Sequence, residues 1–363
     1  MINSVGIHNF KLFKDVQQEL KPLTLLTGLN GRGKSTFIQA MLTMWHTLNE
    51  DDLIFSLDNE YVRLGIVEDV LPWTLDDNRV GLSLTINEKR YELYSEEVSA
   101  EWSQENIIPL VDDESDMRRM LELPHLHYLA AGRMPVMDRF PTASQSVKKK
   151  SLSIRYGDGM ATARFLYEYG KELLKVPELV YPTSEFLTLE NQANAWLKVI
   201  SPDLDFHVRR LGSDFQIRYS TVNAQGIPLS ANASNVGYGI TYALPMITAI
   251  LSSSPGDVVI VETPEAHIHP AGQARLMDLC ALAAANGIQV ILETHSDHIV
   301  HGVLRNLKKE VLKEDDVAVL FFDKEIDEEQ PCIVPQKVTQ KGRIRKPSPG
   351  FFDQYMNDMD ALL

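Results

Sequence analysis

The sequence has 363 residues, of which 44% are hydrophobic and 23% are charged, so it can build one large domain or two smaller ones and is not globally disordered. Its formal net charge of -15 argues against nucleic-acid binding as the primary property, because free-standing nucleic-acid binders usually carry a basic face. Two cysteines, Cys280 and Cys332, are too few for a disulfide framework or a cysteine metal site.

Residues 23–49 change from strand-like to helix-like periodicity. Positions 23–27 form a short apolar run, and Phe37, Met41 and Trp45 recur at helical spacing. Between them, "GLNGRGKS" at 28–35 fits the phosphate-binding P-loop pattern G-x-x-x-x-G-K-[ST]. In such a loop, backbone N–H groups and the helix N-terminus attract an anion, Lys34 reaches the β/γ-phosphates and the Ser35 hydroxyl coordinates Mg²⁺. The alternative is a glycine-rich surface turn.

Two hairpins flank a region of different composition. Residues 79–94 and 206–220 alternate apolar and polar positions around short turns. Residues 96–204 contain an acidic run at 111–116 and helical patterns near 161–174 and 186–199. We therefore expect a core from residues 1–95 and 205–325, a mainly helical insertion at 96–204, and a C-terminal tail element at 326–363.

Two apolar runs in the last third of the chain predict parallel strands. "VVIVE" at 258–262 and "IQVILETHS" at 288–296 are separated by a helical pattern that Pro270 opens and Gly287 ends. A helix of this length between two buried strands indicates parallel pairing. The predicted fold class is α/β, with a mainly parallel core sheet, an antiparallel β subdomain and a helical insertion.

Carboxylates and histidines follow these two strands. Glu262 ends the first run and Glu265 lies three residues beyond it, and His295 lies at the end of the second run. A Mg²⁺–nucleotide site, a separate metal site and a surface turn are three possible explanations. Zinc ligands need convergent placement, so two loops beside a P-loop favour the nucleotide site. The separate metal site would use His267, His269, His295, His298, Glu262, Glu265 and Asp297.

A second glycine motif precedes an apolar helix at 238–250. Asn235 can cap the helix, while Gly237 and Gly239 free its backbone. By itself this is equally a phosphate contact or a tight loop before a core helix.

Four segments in a fixed order carry a family resemblance: "TGLNGRGKST", "NVGYGITYALPMI", "VIVETPEAHIHP" and "VILETHS". The chain resembles an ABC-type, AAA-family ATPase of the branch that includes the chromosome-maintenance proteins and the overcoming-lysogenization-defect nucleases. It looks like a short member of that branch without coiled-coil arms. Residues 342–363 resemble the C-terminal domain of unknown function of one subgroup, and "LHYLAAGRMP" at 126–135 resembles its strand-and-arginine segment.

The resemblance implies an ATP- and Mg²⁺-dependent P-loop NTPase and a role for each matching residue. The signature motif, with Asn235, Gly237 and Gly239, would meet the γ-phosphate of ATP held by a second subunit. Glu262 would hold Mg²⁺ through a water, together with Ser35, and His295 would sense the γ-phosphate. The segment that would bind ATP consists of Gly28, Asn30, Gly31, Arg32, Gly33, Lys34, Ser35 and Thr36.

One position departs from the family pattern. The family places a catalytic glutamate directly after the Mg²⁺ residue, but here that position holds Thr263, which cannot act as a general base near neutral pH. We expect Glu265 to orient the attacking water. The alternative is that Glu265 only braces the loop and His295 alone positions the water. The family's glutamine loop is expected near "YVRLGIVEDV" at 61–70, but this segment contains no glutamine, so no residue is assigned to that role.

The resemblance implies an ATP-sandwich homodimer that regulates a partner effector encoded nearby, in defence against phage or mobile DNA. Alternatives are an overcoming-lysogenization-defect-type nuclease, for which the segment after His295 is too short, and a DNA-repair ATPase.

We expect a cytoplasmic protein without membrane contact, because no apolar run reaches the ~18 residues of a spanning helix. Basic residues at 118–119, 148–150 and 341–346 form solvated faces or contact nucleic acid or an acidic partner.

The end of the chain predicts an amphipathic helix. Phe352, Tyr355, Met356, Met359 and Leu363 fall at helical spacing. We expect this helix to dock on the core of the same chain, and a partner-binding helix is the alternative.

Overall fold

A computed structural model describes residues 1–72, 79–98, 104–110, 123–133, 136–222, 227–324 and 330–362. The strands are β1 (Ile2–Phe10), β2 (Phe13–Glu19), β3 (Leu23–Gly28), β4 (Phe55–Ser56), β5 (Gly81–Ile86), β6 (Lys89–Ser95), β7 (Asn106–Ile107), β8 (Pro109–Leu110), β9 (Leu126–Leu129), β10 (Leu204–Leu211), β11 (Asp214–Val222), β12 (Pro228–Asn232), β13 (Val258–Glu262), β14 (Gln289–Glu293), β15 (Val317–Asp323), β16 (Cys332–Thr339) and β17 (Arg343–Arg345). The helices are α1 (Lys34–Asn49), α2 (Val67–Val70), α3 (Ser144–Lys148), α4 (Thr162–Tyr169), α5 (Leu189–Leu197), α6 (Tyr238–Ser252), α7 (Pro270–Ala285), α8 (Asp297–Lys308) and α9 (Gln354–Leu362).

The chain divides into two compact units. The first comprises Met1–Pro124, Val317–Thr339 and Arg343–Leu363, and the second comprises His125–Asp316 and Gln340–Gly342. The arginines at 118–119 and the acidic run at 111–116 lie outside the described residues.

The first unit contains an antiparallel sheet in the order β2-β1-β5-β6-β8 and a second set of strands in the order β17-β16-β15-β3. β3 runs parallel to β15, whereas β15, β16 and β17 pair antiparallel. The predicted hairpin at 79–94 is confirmed as β5–β6. Its turn residues Asn87 and Glu88 have φ values of 49° and 68°, which suit the right-handed twist of the paired strands.

Helix α1 anchors the core of the first unit. Its side chains Phe37 and Met41 are fully buried, and the Phe37 ring packs edge-on against Phe322 of β15, with centroids 5.7 Å apart. Phe13 of β2 meets the same Phe322 ring at 6.4 Å. This aromatic cluster lies beneath the loop that joins β3 to α1.

The second unit contains parallel strands in the order β14-β13-β9 and an antiparallel sheet in the order β10-β11-β12. Every residue of β13 and β14 is buried, which explains the apolar runs 258–261 and 290–292 at their centres. Pro270 occupies the first turn of α7, and the His269 side chain accepts a hydrogen bond from the Ala271 N–H at 3.3 Å. The predicted parallel strand–helix–strand unit is confirmed, as is the α/β fold class with a mainly parallel core and antiparallel sheets.

The C-terminal helix forms as predicted. Tyr355 and Met359 of α9 are 69% and 38% exposed, so the prediction that these two side chains pack on the core is wrong. The predicted contact residue Leu363 lies outside the described residues. Phe351, just before the helix, is buried instead, and its ring meets Phe321 at 5.5 Å. Within the part of the chain that the structure describes, no helix combines the length and apolar character needed to cross a membrane.

Candidate nucleotide site

The P-loop lies in the first unit, between the end of β3 at Gly28 and the start of α1 at Lys34. Lys34 Nζ donates hydrogen bonds to the carbonyl oxygens of Gly28 and Leu29, both at 2.8 Å. The lysine is therefore folded over its own loop and is only 3% exposed. Ser35 is exposed at the N-terminus of α1, whereas Thr36 is buried.

The glycines of this loop are required by its conformation. Gly28, Gly31 and Gly33 have φ values of 129°, 72° and 93°, a region that residues with a Cβ rarely adopt. A Cβ at Gly33 would also lie 2.6 Å from the Phe13 ring, and one at Gly28 would lie 2.2 Å from the Phe322 carbonyl oxygen. Asn30 and Gly31 are exposed and Arg32 is half-buried, so the backbone of the loop remains accessible.

Glu262 ends β13 in the second unit and is 9% exposed. Its Oε1 accepts a hydrogen bond from the Tyr128 hydroxyl at 2.8 Å, and its Oε2 accepts one from the Ala131 N–H at 3.2 Å. Burial raises the pKa of Glu262, while these two hydrogen bonds oppose that rise. The carboxylate is thus fixed in one orientation by β9 and the loop that follows it.

Glu265 lies three residues further along and holds the loop after β14. Its Oε1 accepts a hydrogen bond from the backbone N–H of His295 at 2.8 Å, and its Oε2 accepts one from Thr294 Oγ1 at 2.9 Å. The His295 side chain is exposed. The structure therefore joins Glu265 and His295, which sequence reasoning had placed in separate loops.

Arg133 organises the end of β13, a role that the sequence did not reveal. Its guanidinium donates hydrogen bonds to four carbonyl oxygens, and it lies 5.0 Å from the centroid of the Tyr242 ring. The side chain is fully buried, and burial lowers its pKa to about 10. The carbonyl acceptors are those of Ala130 at 3.0 Å, Tyr242 at 3.2 Å, Glu262 at 2.5 Å and Thr263 at 3.1 Å.

The signature motif is presented outward. Asn235 and Gly237 are exposed, and Tyr238, the first residue of α6, is 59% exposed. Gly239 instead packs closely, because a Cβ there would lie 2.4 Å from the His267 carbonyl oxygen. The His267 ring lies 5.5 Å from that of Tyr238, so α6 is fitted against the loop that follows Glu265.

One family covers most of the chain. The sequence family described as an AAA domain, putative AbiEii toxin, Type IV TA system matches residues 23–301. The chain belongs to this AAA-domain family. A second family, described only as a protein of unknown function (DUF3696), matches residues 312–362. The predicted family resemblance, including its C-terminal domain, is therefore confirmed. No curated protein matches the sequence.

Solved structures show that the AAA domain has the fold of an SMC head. A crystal structure of an Smc head bound to the C-winged helix domain of ScpA is 11% identical, with 93% of this chain and 97% of that chain covered and a TM-score of 0.55. An Smc head domain with an extended coiled coil, bound to the C-terminal domain of ScpA derived from Pyrococcus furiosus, is 10% identical, with 99% of both chains covered and a TM-score of 0.52. These likenesses confirm an ABC-type ATPase fold.

The AAA domain brings some of the alternative metal ligands together. Asp297, His298 and His301 have ligand atoms within 4.8 Å of one another, as do His46, Glu50 and Glu60 in the first unit. Among the described residues, neither group includes Glu262, Glu265 or His295.

The region at 61–70, where the family's glutamine loop is expected, is hydrogen-bonded to Gln104. The Gln104 carbonyl accepts a hydrogen bond from the Val67 N–H at 3.0 Å. Gln104 is the first glutamine after Gln39 in the sequence.

Proposed function

We propose that this AAA-domain protein binds ATP with Mg²⁺ and hydrolyses it to ADP and phosphate. The observation that carries the proposal is the loop at 28–34, in which three glycines adopt left-handed φ values and Lys34 closes over the backbone. Its exposed N–H groups and the first turn of α1 offer partial positive charge to a phosphate. On binding, Lys34 would exchange its two carbonyl partners for phosphate oxygens.

Ser35 and Glu262 are the residues that we assign to Mg²⁺. Mg²⁺ prefers oxygen ligands and keeps several waters. Ser35 is exposed, and the Glu262 carboxylate is oriented by hydrogen bonds from Tyr128 and Ala131. These groups fit such an ion, with Glu262 acting through a water. The ion would neutralise charge on the β- and γ-phosphates.

Glu265 and His295 are the residues that we assign to the attacking water and the γ-phosphate. Each carboxylate oxygen of Glu265 accepts one hydrogen bond from the loop at 294–295, which leaves lone pairs that could orient a water. Movement of the His295 loop would then move the same carboxylate. With Thr263 in place of an adjacent glutamate, we expect slow turnover, which suits a timing device better than a motor.

We further propose that two copies enclose two ATP molecules, with the signature motif of each subunit on the nucleotide of the other. The exposure of Asn235, Gly237 and Tyr238 supports this arrangement. We assign the nucleotide cycle to control of a partner effector in defence against phage or mobile DNA. The description of the family as a putative AbiEii toxin of a Type IV system supports that role.

Complementation between two inactive variants tests the enzyme and the dimer together. Lys34→Ala should abolish ATP binding, and Gly237→Glu should retain ATP binding but lose turnover. Mixing the two variants should restore at most about half of the wild-type rate, because each mixed dimer has one intact composite site, formed by the P-loop of Gly237→Glu and the signature motif of Lys34→Ala. Lys171→Ala, an exposed lysine far from the loop in sequence, is the control. Normal hydrolysis by Gly237→Glu alone would refute the shared site.

A further inference from the structure

The hairpin of β16 and β17 carries a group of cations on one face. Arg345 pairs directly with Lys337, and Arg343 pairs with Thr339. Residues opposite each other in an antiparallel pair point to the same side, and so do residues two apart in one strand. Lys337, Arg343 and Arg345 therefore share a face, and Lys346 follows directly. We call these four residues the basic hairpin.

The basic hairpin has no ionic partner within the described residues. All four side chains are exposed, and no ion pair joins any of them to a described carboxylate. Folding does not explain this arrangement, because like charges directly opposite each other, such as Lys337 and Arg345, destabilise a sheet. It is also unusual in a chain whose net charge is -15. Repulsion between like charges is tolerated in a folded protein where those charges bind an anionic ligand.

The chemistry of the hairpin favours a phosphate backbone. Arginine presents a planar fork of donors that matches phosphate oxygens, and two of the four cations are arginines. Residues 332–346 contain no aromatic side chain. Proteins that bind single strands or RNA loops rely on aromatic stacking, so this face lacks what those ligands require. A duplex offers the higher density of phosphates, about one charge per 1.7 Å of axis.

We propose that the basic hairpin docks on the phosphate backbone of double-stranded DNA without reading its sequence. The hairpin lies within the segment matched by the family of unknown function, so the proposal gives that segment a role. It does not depend on ATP hydrolysis, since all four residues lie outside the P-loop, the signature motif and the carboxylate loops.

The salt dependence of binding measures the number of phosphates involved. Four phosphate contacts predict a slope of about -3.6 in a plot of log K against log salt, or roughly a 10²-fold loss of affinity between 50 and 200 mM salt. We would measure this by fluorescence anisotropy with a labelled 30-base-pair duplex of arbitrary sequence. The variant Lys337→Gln/Arg343→Gln/Arg345→Gln/Lys346→Gln should lose nearly all of the slope. Lys341, which is exposed in the turn between the two strands, is not substituted in this variant.

A matched variant separates the local surface from overall charge. Lys148→Gln/Lys149→Gln/Lys150→Gln/Lys171→Gln removes the same four charges from exposed positions elsewhere and should keep the wild-type slope. The ATPase rate of the hairpin variant without DNA should equal that of the wild type, and its thermal midpoint should be no lower, which excludes misfolding. The proposal fails if both variants weaken binding equally, if the wild type does not bind the duplex at 50 mM salt, or if a single strand or polyglutamate competes as well as the duplex.

Discussion

Glu265 holds the loop of His295 with both oxygens of its carboxylate, so bracing and water activation must be separated by experiment. Glutamine can keep both contacts, because its carbonyl can accept from the His295 N–H and its amide can donate to Thr294 Oγ1. Alanine cannot keep either. The pair of substitutions therefore distinguishes the loss of a base from the loss of a brace.

We expect Glu265→Gln to retain ATP affinity and thermal stability but to lose at least ~10²-fold in single-turnover rate, the usual contribution of a general base. Glu265→Ala should lose rate and also weaken ATP binding. Thr263→Glu, which places a carboxylate beside Glu262, should speed turnover. An unchanged rate in Glu265→Gln would leave Glu265 as a brace and assign the water to His295.

His127 is a buried histidine of β9 whose neutral form the fold requires. Burial and the neighbouring charges of His125 and Lys175 hold the pKa of His127 well below its usual value of 6.5. The unfolded chain therefore binds the proton more tightly, and stability is lost as the pH falls below about 6.5. Among the described residues, the buried His127 Nδ1 has no hydrogen-bond partner, so an apolar replacement removes a cost rather than a bond.

We expect the wild type to lose up to about 1.4 kcal/mol of stability between pH 7.5 and 5.5 through this residue, and His127→Leu to lack that portion of the decrease. Urea unfolding at the two pH values measures it. His207→Gln, at an exposed position of β10, is the control. A wild-type and a His127→Leu curve that fall in parallel would contradict the assignment.

At the scale of elements, α6 meets the loop after Glu265 through backbone atoms. A methyl group at Gly239 would lie 2.4 Å from the carbonyl oxygen of His267, whereas one at Gly237 would meet nothing within 4 Å. Backbone cannot move aside as a side chain can, so Gly239→Ala should destabilise by roughly 1–3 kcal/mol. Gly237→Ala should leave the thermal midpoint unchanged. Equal thermal midpoints for the two variants would contradict this prediction, because they would show that the loop of His267 moves to accommodate the added methyl group.

Local patterns predicted the elements well and their contacts poorly. The strand–loop–helix at 23–49 and the parallel pair β13 and β14 follow from short runs of apolar residues in the sequence. The four acceptors of Arg133 come from residues 130, 242, 262 and 263, and no local pattern links positions so far apart. The exposed face of α9 was likewise missed, because periodicity predicts an apolar stripe without naming what covers it.

At the scale of the whole molecule, the proposed dimer should depend on the state of the nucleotide. Glu265→Gln keeps the ATP site but slows its turnover, so ATP should trap this variant as a dimer. Gly237→Glu should remain monomeric in ATP, because a carboxylate would meet the phosphates of the second subunit. Light scattering after size exclusion, with ADP as the reference state, measures both. A Glu265→Gln protein that stays monomeric in ATP would contradict the shared site.

The carbonyl cage around Arg133 has a consequence for solution chemistry. Arg133→Ala would leave a buried hole lined by four carbonyl oxygens and the face of Tyr242, which is the outline of a guanidinium ion. Millimolar guanidinium, far below the concentrations that unfold proteins, should enter that hole and restore ATPase rate and thermal midpoint to the variant. Ammonium and urea should not, and the wild type should gain nothing. Guanidinium, which unfolds proteins at molar concentration, would then stabilise this one variant by replacing the missing arginine side chain.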